Sequence, residues 1–180
     1  IVAKKYLGAI DWSLVTFLLG DERIAPLDSP ESNWYIAEQA LLRHIPRATF
    51  VRPASNDTAK NAADDYDIRL QKFDRFDLLW LGMGEDGHTL SLFPHHPDFL
   101  PTDRLVLPIH DSPKPPSDRI TLTLPALELA QHTVILTAGA GKAEAFKNAQ
   151  KLESLLPIAQ AARITAAQWY VDHSAAKLID

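Results

Sequence analysis

Short, dense apolar runs alternate along the chain with longer segments whose apolar positions recur every three or four residues. Trp12 to Leu19 is such a run. It ends at Gly20-Asp21 and predicts a buried strand followed by a functional loop. Ser32 to Leu42 spaces its apolar residues at i, i+3, i+4 and i+7 behind a Ser/Asn start, the signature of a capped helix. Ala48 to Arg52 predicts a short strand, and Asp57 to Phe73 a helix opened by an Asx-type cap at Asn56 or Asp57. Phe76 to Leu81 is apolar on both faces except at Asp77 and stops at Gly82, which predicts a strand buried on both sides. Prolines 94, 97 and 101 forbid a long helix after it.

Further on, Arg104 to Ile109 and Arg119 to Leu124 predict two strands around a Pro-rich turn; the alternation from Ile120 to Leu124 predicts that one face is less buried. Pro125 suits the first turn of a helix. His132 to Ala138 predicts a strand, Gly139 to Gln150 a loop entering a helix, Gln168 to Val171 a last strand and His173 to Leu178 a final helical turn or two. Ile1 to Leu7 reads like the tail of a helix without its beginning, so residues are expected to be missing upstream.

Strands alternating with helices predict an α/β domain with a mostly parallel sheet covered on both sides. A chain of 180 residues with 46% hydrophobic content suits one core, so a single domain over 1–180 is expected. Ligands of such folds sit beyond the carboxyl ends of the strands. Asp21, Glu22, Arg23, the Gly82 to His88 loop and Lys142 all fall there, whereas Arg119 opens a strand.

The net charge of −5 argues against a surface built for nucleic acid or anionic lipid. With no cysteine, a disulfide framework and a thiolate metal site are both excluded. No apolar run approaches the roughly 18 residues of a membrane span, and no leader precedes the first strand, so a cytoplasmic monomer or small homo-oligomer is expected.

Gly82-Met83-Gly84-Glu85-Asp86-Gly87 matches GxGxxG after a strand. A dinucleotide fingerprint must open a helix, however, and here Thr89-Leu90-Ser91-Leu92-Phe93-Pro94 is cut short by proline. A backbone nest around a small anionic or carbonyl ligand fits better, with Gly82, Gly84 and Gly87 turning the chain and Asp86 and His88 delivered beside it. Histidine transfers protons in both directions near neutrality, and Asp86 is placed to orient it. The structural alternative is that Asp86 caps the turn and His88 is a polar core residue. Likewise Asp21, Glu22 and Arg23 read either as a charged site or as a solvated loop or helix cap. Arg119, Lys142 and Lys114 are the candidate phosphate ligands, pairing a planar fork with point charges. His95, His96 and Asp98 lack a third ligand at characteristic spacing, and no metal is expected.

Five blocks in fixed order carry a family resemblance: Gly20-Asp21-Glu22-Arg23 with Pro26 to Asn33, Phe76 to Pro94, Ser112-Pro113-Lys114-Pro115-Pro116, Arg119 to Leu127, and Gly139-Ala140-Gly141-Lys142. Together they resemble the 6-phosphogluconolactonases, a family similar in fold to the glucosamine-6-phosphate deaminases and isomerases. The resemblance implies a three-layer α/β/α, Rossmann-like domain that opens 6-phospho-D-glucono-1,5-lactone to 6-phosphogluconate in the oxidative pentose phosphate pathway, without cofactor. It implies His88 as the proton-transfer residue with Asp86, Arg23 as a substrate-contacting cation beside Asp21, and Arg119 and Lys142 as phosphate ligands. The family's N-terminal strand and Ser-Gly-Gly-Ser-Thr-Pro-like phosphate loop have no match here, so the domain is expected to lack them, and Lys147 to Ile164 is short for the family. Two alternatives stay open. A deaminase or isomerase of this fold would place a glutamate shortly after the histidine, where Thr89 to Pro94 holds no acid. A silent sugar-phosphate-sensing domain would keep the phosphate site without turnover.

Overall fold

The structure is a computed structural model that describes residues 6–54, 57–97 and 102–179. Most of the helix tail read over the first seven residues, the cap offered at Asn56, and Asp98 lie outside them.

Two parallel sheets form the α/β framework. β1 (Thr16–Leu18) pairs with β3 (Thr49–Val51), and β4 (Leu79–Gly82) pairs with β7 (Thr133–Thr137), which pairs with β8 (Gln168–Val171). A third, antiparallel sheet runs β2 (Asp21–Arg23), β6 (Arg119–Leu122), β5 (Val106–Ile109). The expected strand from Trp12 is therefore shorter, because Asp11 caps a 3₁₀ turn at Trp12–Leu14 by accepting from Ser13 N at 3.2 Å. Asp21 to Arg23 is likewise a strand rather than a loop. Its backbone groups pair along β6, with Asp21 opposite Thr121 and Arg23 opposite Arg119.

Six α-helices accompany the strands: α1 (Asn33–Ala40), α2 (Ala59–Leu70), α3 (Leu124–Glu128), α4 (Ala143–Ala149), α5 (Pro157–Ile164) and α6 (His173–Ala176), among the described residues. Ser32 caps α1 by accepting from Tyr35 N at 3.2 Å, as its sequence predicts. The cap of α2 is Thr58, which accepts from Asn61 N, while Asp57 accepts from Thr58 N instead. α5 is not foreseen in the sequence, although Pro157 in its first turn and buried Ile158 and Ala161 three apart carry a helical signal.

The main core is built from Tyr66, Leu81, Val106, Ile120, Leu127 and Ile135 with their neighbours. A smaller cluster around Ile45 gathers Trp12, Phe17, Trp34 and Phe50. Buried Tyr66 joins the end of β1 to α2: its hydroxyl accepts from Leu19 N at 3.0 Å and donates to Leu19 O at 3.0 Å. β4 departs from expectation because only Leu79 and Leu81 are buried, whereas Trp80 on the other face is 64% exposed. β6 departs in the opposite sense. All four of its residues are buried, since α2 packs over β5 and β6 and the segment after His88 lies against β6, where Ser91 N donates to Thr121 Oγ1 at 3.2 Å. No described helix is long and apolar enough to cross a membrane.

Candidate active site

β4 ends at Gly82, and the chain then closes a tight loop. Gly84 N donates to His88 O at 2.8 Å and Gly87 N to Gly84 O at 3.1 Å. These two amides are thus spent on the loop itself and do not line a nest for an external oxygen, which corrects the expectation for Gly84 and Gly87. Their glycine identity has other causes. A Cβ on Gly84 would stand 2.0 Å from His88 Nδ1, so the imidazole occupies the space that any other residue would fill. Gly87 has φ +84°, a left-handed conformation that side chains resist. Gly82 borders open space, and its carbonyl accepts from Thr89 Oγ1 at 2.9 Å. No helix follows, which excludes the dinucleotide reading on structure as well as on sequence.

Beside Gly84 the imidazole and carboxylate meet: His88 Nδ1 is 2.5 Å from Asp86 Oδ1, and His88 N donates to the same oxygen at 3.3 Å. Asp86 therefore caps the turn and orients the ring at once. Lys114 Nζ approaches Asp86 Oδ1 to 3.9 Å, and Lys142 lies close enough to act electrostatically on His88. Burial is the largest influence on His88 and lowers its proton affinity below the ordinary histidine value; Lys114 and Lys142 add to that, and Asp86 opposes it. Burial pushes Asp86 up, but its bonds and charge attraction to His88, with Lys114, outweigh this and hold the carboxyl below its usual range. The result is an ionised carboxylate beside a neutral imidazole near pH 7. Because a carboxylate only accepts, Nδ1 carries the ring proton and the Nε2 lone pair is free to take another.

Lys142 sits at the end of a 3₁₀ turn, Ala140–Lys142, that leads into α4. Asp172 fixes that turn by accepting from Gly139 N at 3.1 Å. The turn packs on the His88 loop, where a Cβ on Gly141 would meet Glu85 Oε1 at 2.7 Å.

A second group also gathers at Phe93. His88 packs on the Phe93 ring with centroids 4.8 Å apart, and the Arg119 guanidinium carbon is 5.6 Å from the same ring. Ser91 Oγ donates to Asp21 Oδ2 at 2.7 Å and accepts from Arg119 Nη1 at 3.4 Å. Asp21 Oδ1 accepts from Asn33 Nδ2 at 3.0 Å. Asp21 is thereby committed to protein partners. Arg23 donates from Nη1 to Glu31 O at 2.9 Å, and its Nε is buried without a partner; its charge also acts on Arg119.

The expectation for Arg119 as a phosphate ligand needs correction. Arg119 is 3% exposed, and its guanidinium donates to three carbonyls of the Pro-rich loop: Nε to Pro116 O at 3.0 Å, and Nη2 to Lys114 O at 2.8 Å and Pro115 O at 3.0 Å. Glu22 realises the cap reading of its charged triplet. Its buried carboxylate accepts from Asn33 N and Arg23 N at 2.7 Å, Trp34 N at 2.8 Å and Ser32 Oγ at 3.0 Å, closing the start of α1. Ser91, between two leucines, and Phe93, before Pro94, carry no functional signal in the sequence, where they read as ordinary strand or loop residues.

Residues 1–170 match the family model described as glucosamine-6-phosphate isomerases/6-phosphogluconolactonase. The 6-phosphogluconolactonase of Rattus norvegicus is 40% identical over 171 residues, spanning 88% of this chain and 66% of the rat protein. A protein of Oryza sativa subsp. indica described as a probable 6-phosphogluconolactonase 3, chloroplastic, is 36% identical over 99% of this chain, which spans 61% of the rice protein's length. Among solved structures, the 6-phosphogluconolactonase from Trypanosoma cruzi superposes with a TM-score of 0.86 at 26% identity, over 99% of this chain and 78% of that one.

Proposed function

The chain belongs to the family of glucosamine-6-phosphate isomerases and 6-phosphogluconolactonases, and from that premise we propose that it hydrolyses 6-phospho-D-glucono-1,5-lactone to 6-phospho-D-gluconate, the second step of the oxidative pentose phosphate pathway. The observation that carries this reading is the Asp86–His88 pair at the end of β4, a neutral imidazole whose tautomer is held by a carboxylate and which faces two lysines.

Lactone opening needs a water deprotonated as it attacks C1, a counter-charge for the carbonyl oxygen, and a proton for the departing ring oxygen. His88 Nε2 takes the water proton, Asp86 stabilises the imidazolium that forms, and the same proton passes to the ring oxygen as the C1–O bond breaks. The acid released then ionises. No oxidant, metal or cofactor enters the balance. Lys142 and Lys114 supply the cationic field for the phosphorylated substrate, with Arg23 as a further substrate contact from the β2 side. Arg119 and the amides of Gly84 and Gly87 are left out because their hydrogen bonds are already made within the protein.

The test is hydrolysis of 6-phosphogluconolactone by the chain, measured over the spontaneous rate, beside ammonia release from glucosamine 6-phosphate. Catalysed lactone opening without ammonia is expected. A lactone rate equal to the buffer blank would overturn the reading, and ammonia release would replace it with the deaminase.

A further inference from the structure

Lys114 is the one cation of the site carried by an exposed, proline-rich loop, yet its ammonium reaches the Asp86–His88 pair at 3.9 Å from Asp86 Oδ1. What holds such a loop in place is beneath it. Arg119 is rooted in β6, the middle strand of the antiparallel sheet, with Arg23 of β2 on one side and Ile109 of β5 on the other. From there its guanidinium reaches up, and three of its N–H groups bind the carbonyls of Lys114, Pro115 and Pro116. Ser112 Oγ shares the Lys114 carbonyl at 2.8 Å, whereas the Pro115 and Pro116 carbonyls take their bonds from Arg119, because proline offers no N–H for a turn of its own. A planar fork meets several acceptors in fixed geometry, which the point charge of a lysine does not reproduce.

The same guanidinium has two further contacts. Nη1 donates to Ser91 Oγ, which is bonded to Asp21, and the cation lies over Phe93, whose ring also packs on His88. Arg119 thus touches the supports of both halves of the pair: the loop that brings Lys114 and the ring against which His88 rests.

We propose that Arg119 is a positioning residue whose guanidinium fork holds Lys114 against the Asp86–His88 pair. Arg119 touches no reacting atom, and its role rests on the reading of that pair as the proton-transfer site. The charged groups facing His88 are Asp86 from its own loop, Lys114 from the β5–β6 loop and Lys142 from the turn before α4. Release of the Pro-rich loop withdraws only the second of these.

The experiment follows the His88 ring by proton NMR across pH on the whole chain, with the resonance assigned by its absence in His88→Gln, in four backgrounds: wild type, Lys114→Met, Arg119→Lys and the double variant. Lys114→Met raises the His88 midpoint, because a cation that opposes protonation is gone. Arg119→Lys keeps the charge but loses the fork, and is expected to raise the midpoint by the same amount. The double variant shows no further rise. Turnover of lactone by Arg119→Lys falls on the order of 10²-fold, the usual effect of a misplaced active-site group. A His88 midpoint unchanged in Arg119→Lys, or a rise that adds to that of Lys114→Met, overturns the proposal. Arg119→Gln serves as a second variant. If neither Arg119 variant folds, as judged by circular dichroism, Arg119 is part of the core framework and the positioning role falls. Because the titration is read without substrate, absence of lactone hydrolysis in the wild type would sink the functional reading and leave this result standing.

Discussion

His88 Nδ1 lies 2.5 Å from Asp86 Oδ1 although only one residue separates them, and the space for that contact exists because Gly84 has no side chain. The carboxylate fixes which ring nitrogen holds the proton, and the loop fixes where the other one points. Replacing His88 with Ala or Gln is accordingly expected to lower kcat by 10²- to 10⁴-fold, the range typical of a general acid–base residue, with the melting temperature little changed. Steady-state kinetics on the folded variant checks this, and near-normal turnover would remove His88 from the mechanism.

The pH dependence has a definite sign. In the proposed mechanism the neutral imidazole is the base, and burial, aided by Lys114 and Lys142, keeps it neutral to lower pH than the ordinary histidine value of 6.5. kcat/KM is therefore expected to rise with pH through a midpoint below 6.5 and to level off above it. Asp86→Asn removes the anion that favours protonation and moves the midpoint down. Lys142→Met removes a cation that opposes it and moves the midpoint up. A profile of kcat/KM, which reports the free enzyme, separates the two directions; a shift of the wrong sign in either variant contradicts the arrangement.

Gly84→Ala puts a methyl group 2.0 Å from His88 Nδ1 and 2.6 Å from Asp86 Oδ1. The ring and carboxylate must part. Gly84 is buried, but the neighbouring Glu85 and Asp86 are exposed and can swing outward, so the fold is expected to survive while turnover falls on the order of 10²-fold. Gly82→Ala, whose Cβ meets open space, changes stability little. Thermal melts of both variants with lactone kinetics of Gly84→Ala distinguish a displaced pair from a damaged fold.

These relationships differ in how far the amino-acid pattern exposes them. The Asp86–His88 pair is legible because both residues and their glycines lie within seven positions of one strand end, where the fold class places ligands. The Ser32 cap is legible for the same local reason. Arg119 is not, because a buried guanidinium bound to main-chain carbonyls and an exposed one awaiting phosphate are the same letter in the sequence. Trp80 fails for another reason: hydrophobicity marks it for burial, while its exposure depends on which elements cover that side of β4. Glu22 hides among Asp21 and Arg23 as a third charge, and only the folding of Asn33 and Trp34 over it shows that it closes a helix.

That burial makes Glu22 a stability residue. Glu22→Ala leaves Arg23 N, Asn33 N, Trp34 N and Ser32 Oγ without their acceptor in a dry environment. Bonds to a charged group contribute about 1.5–3 kcal/mol each and are not additive, so a loss on the order of 3 kcal/mol is expected. Urea unfolding reads it as a lower midpoint with unchanged slope. A loss below about 1 kcal/mol would mean that water replaces the carboxylate.

Lys142 differs from His88 in what it binds, and a truncated substrate separates them. In the proposed function its charge serves the phosphate, which does not react, so Lys142→Met is expected to raise KM for 6-phosphogluconolactone by about tenfold or more, with a smaller effect on kcat. Glucono-1,5-lactone lacks the phosphate and gains nothing from Lys142. Its hydrolysis, slow in the wild type, is expected to be equally slow in Lys142→Met at a pH where His88 is neutral in both. Parallel losses on the two lactones would instead place Lys142 at the carbonyl oxygen, where the developing negative charge is common to both substrates.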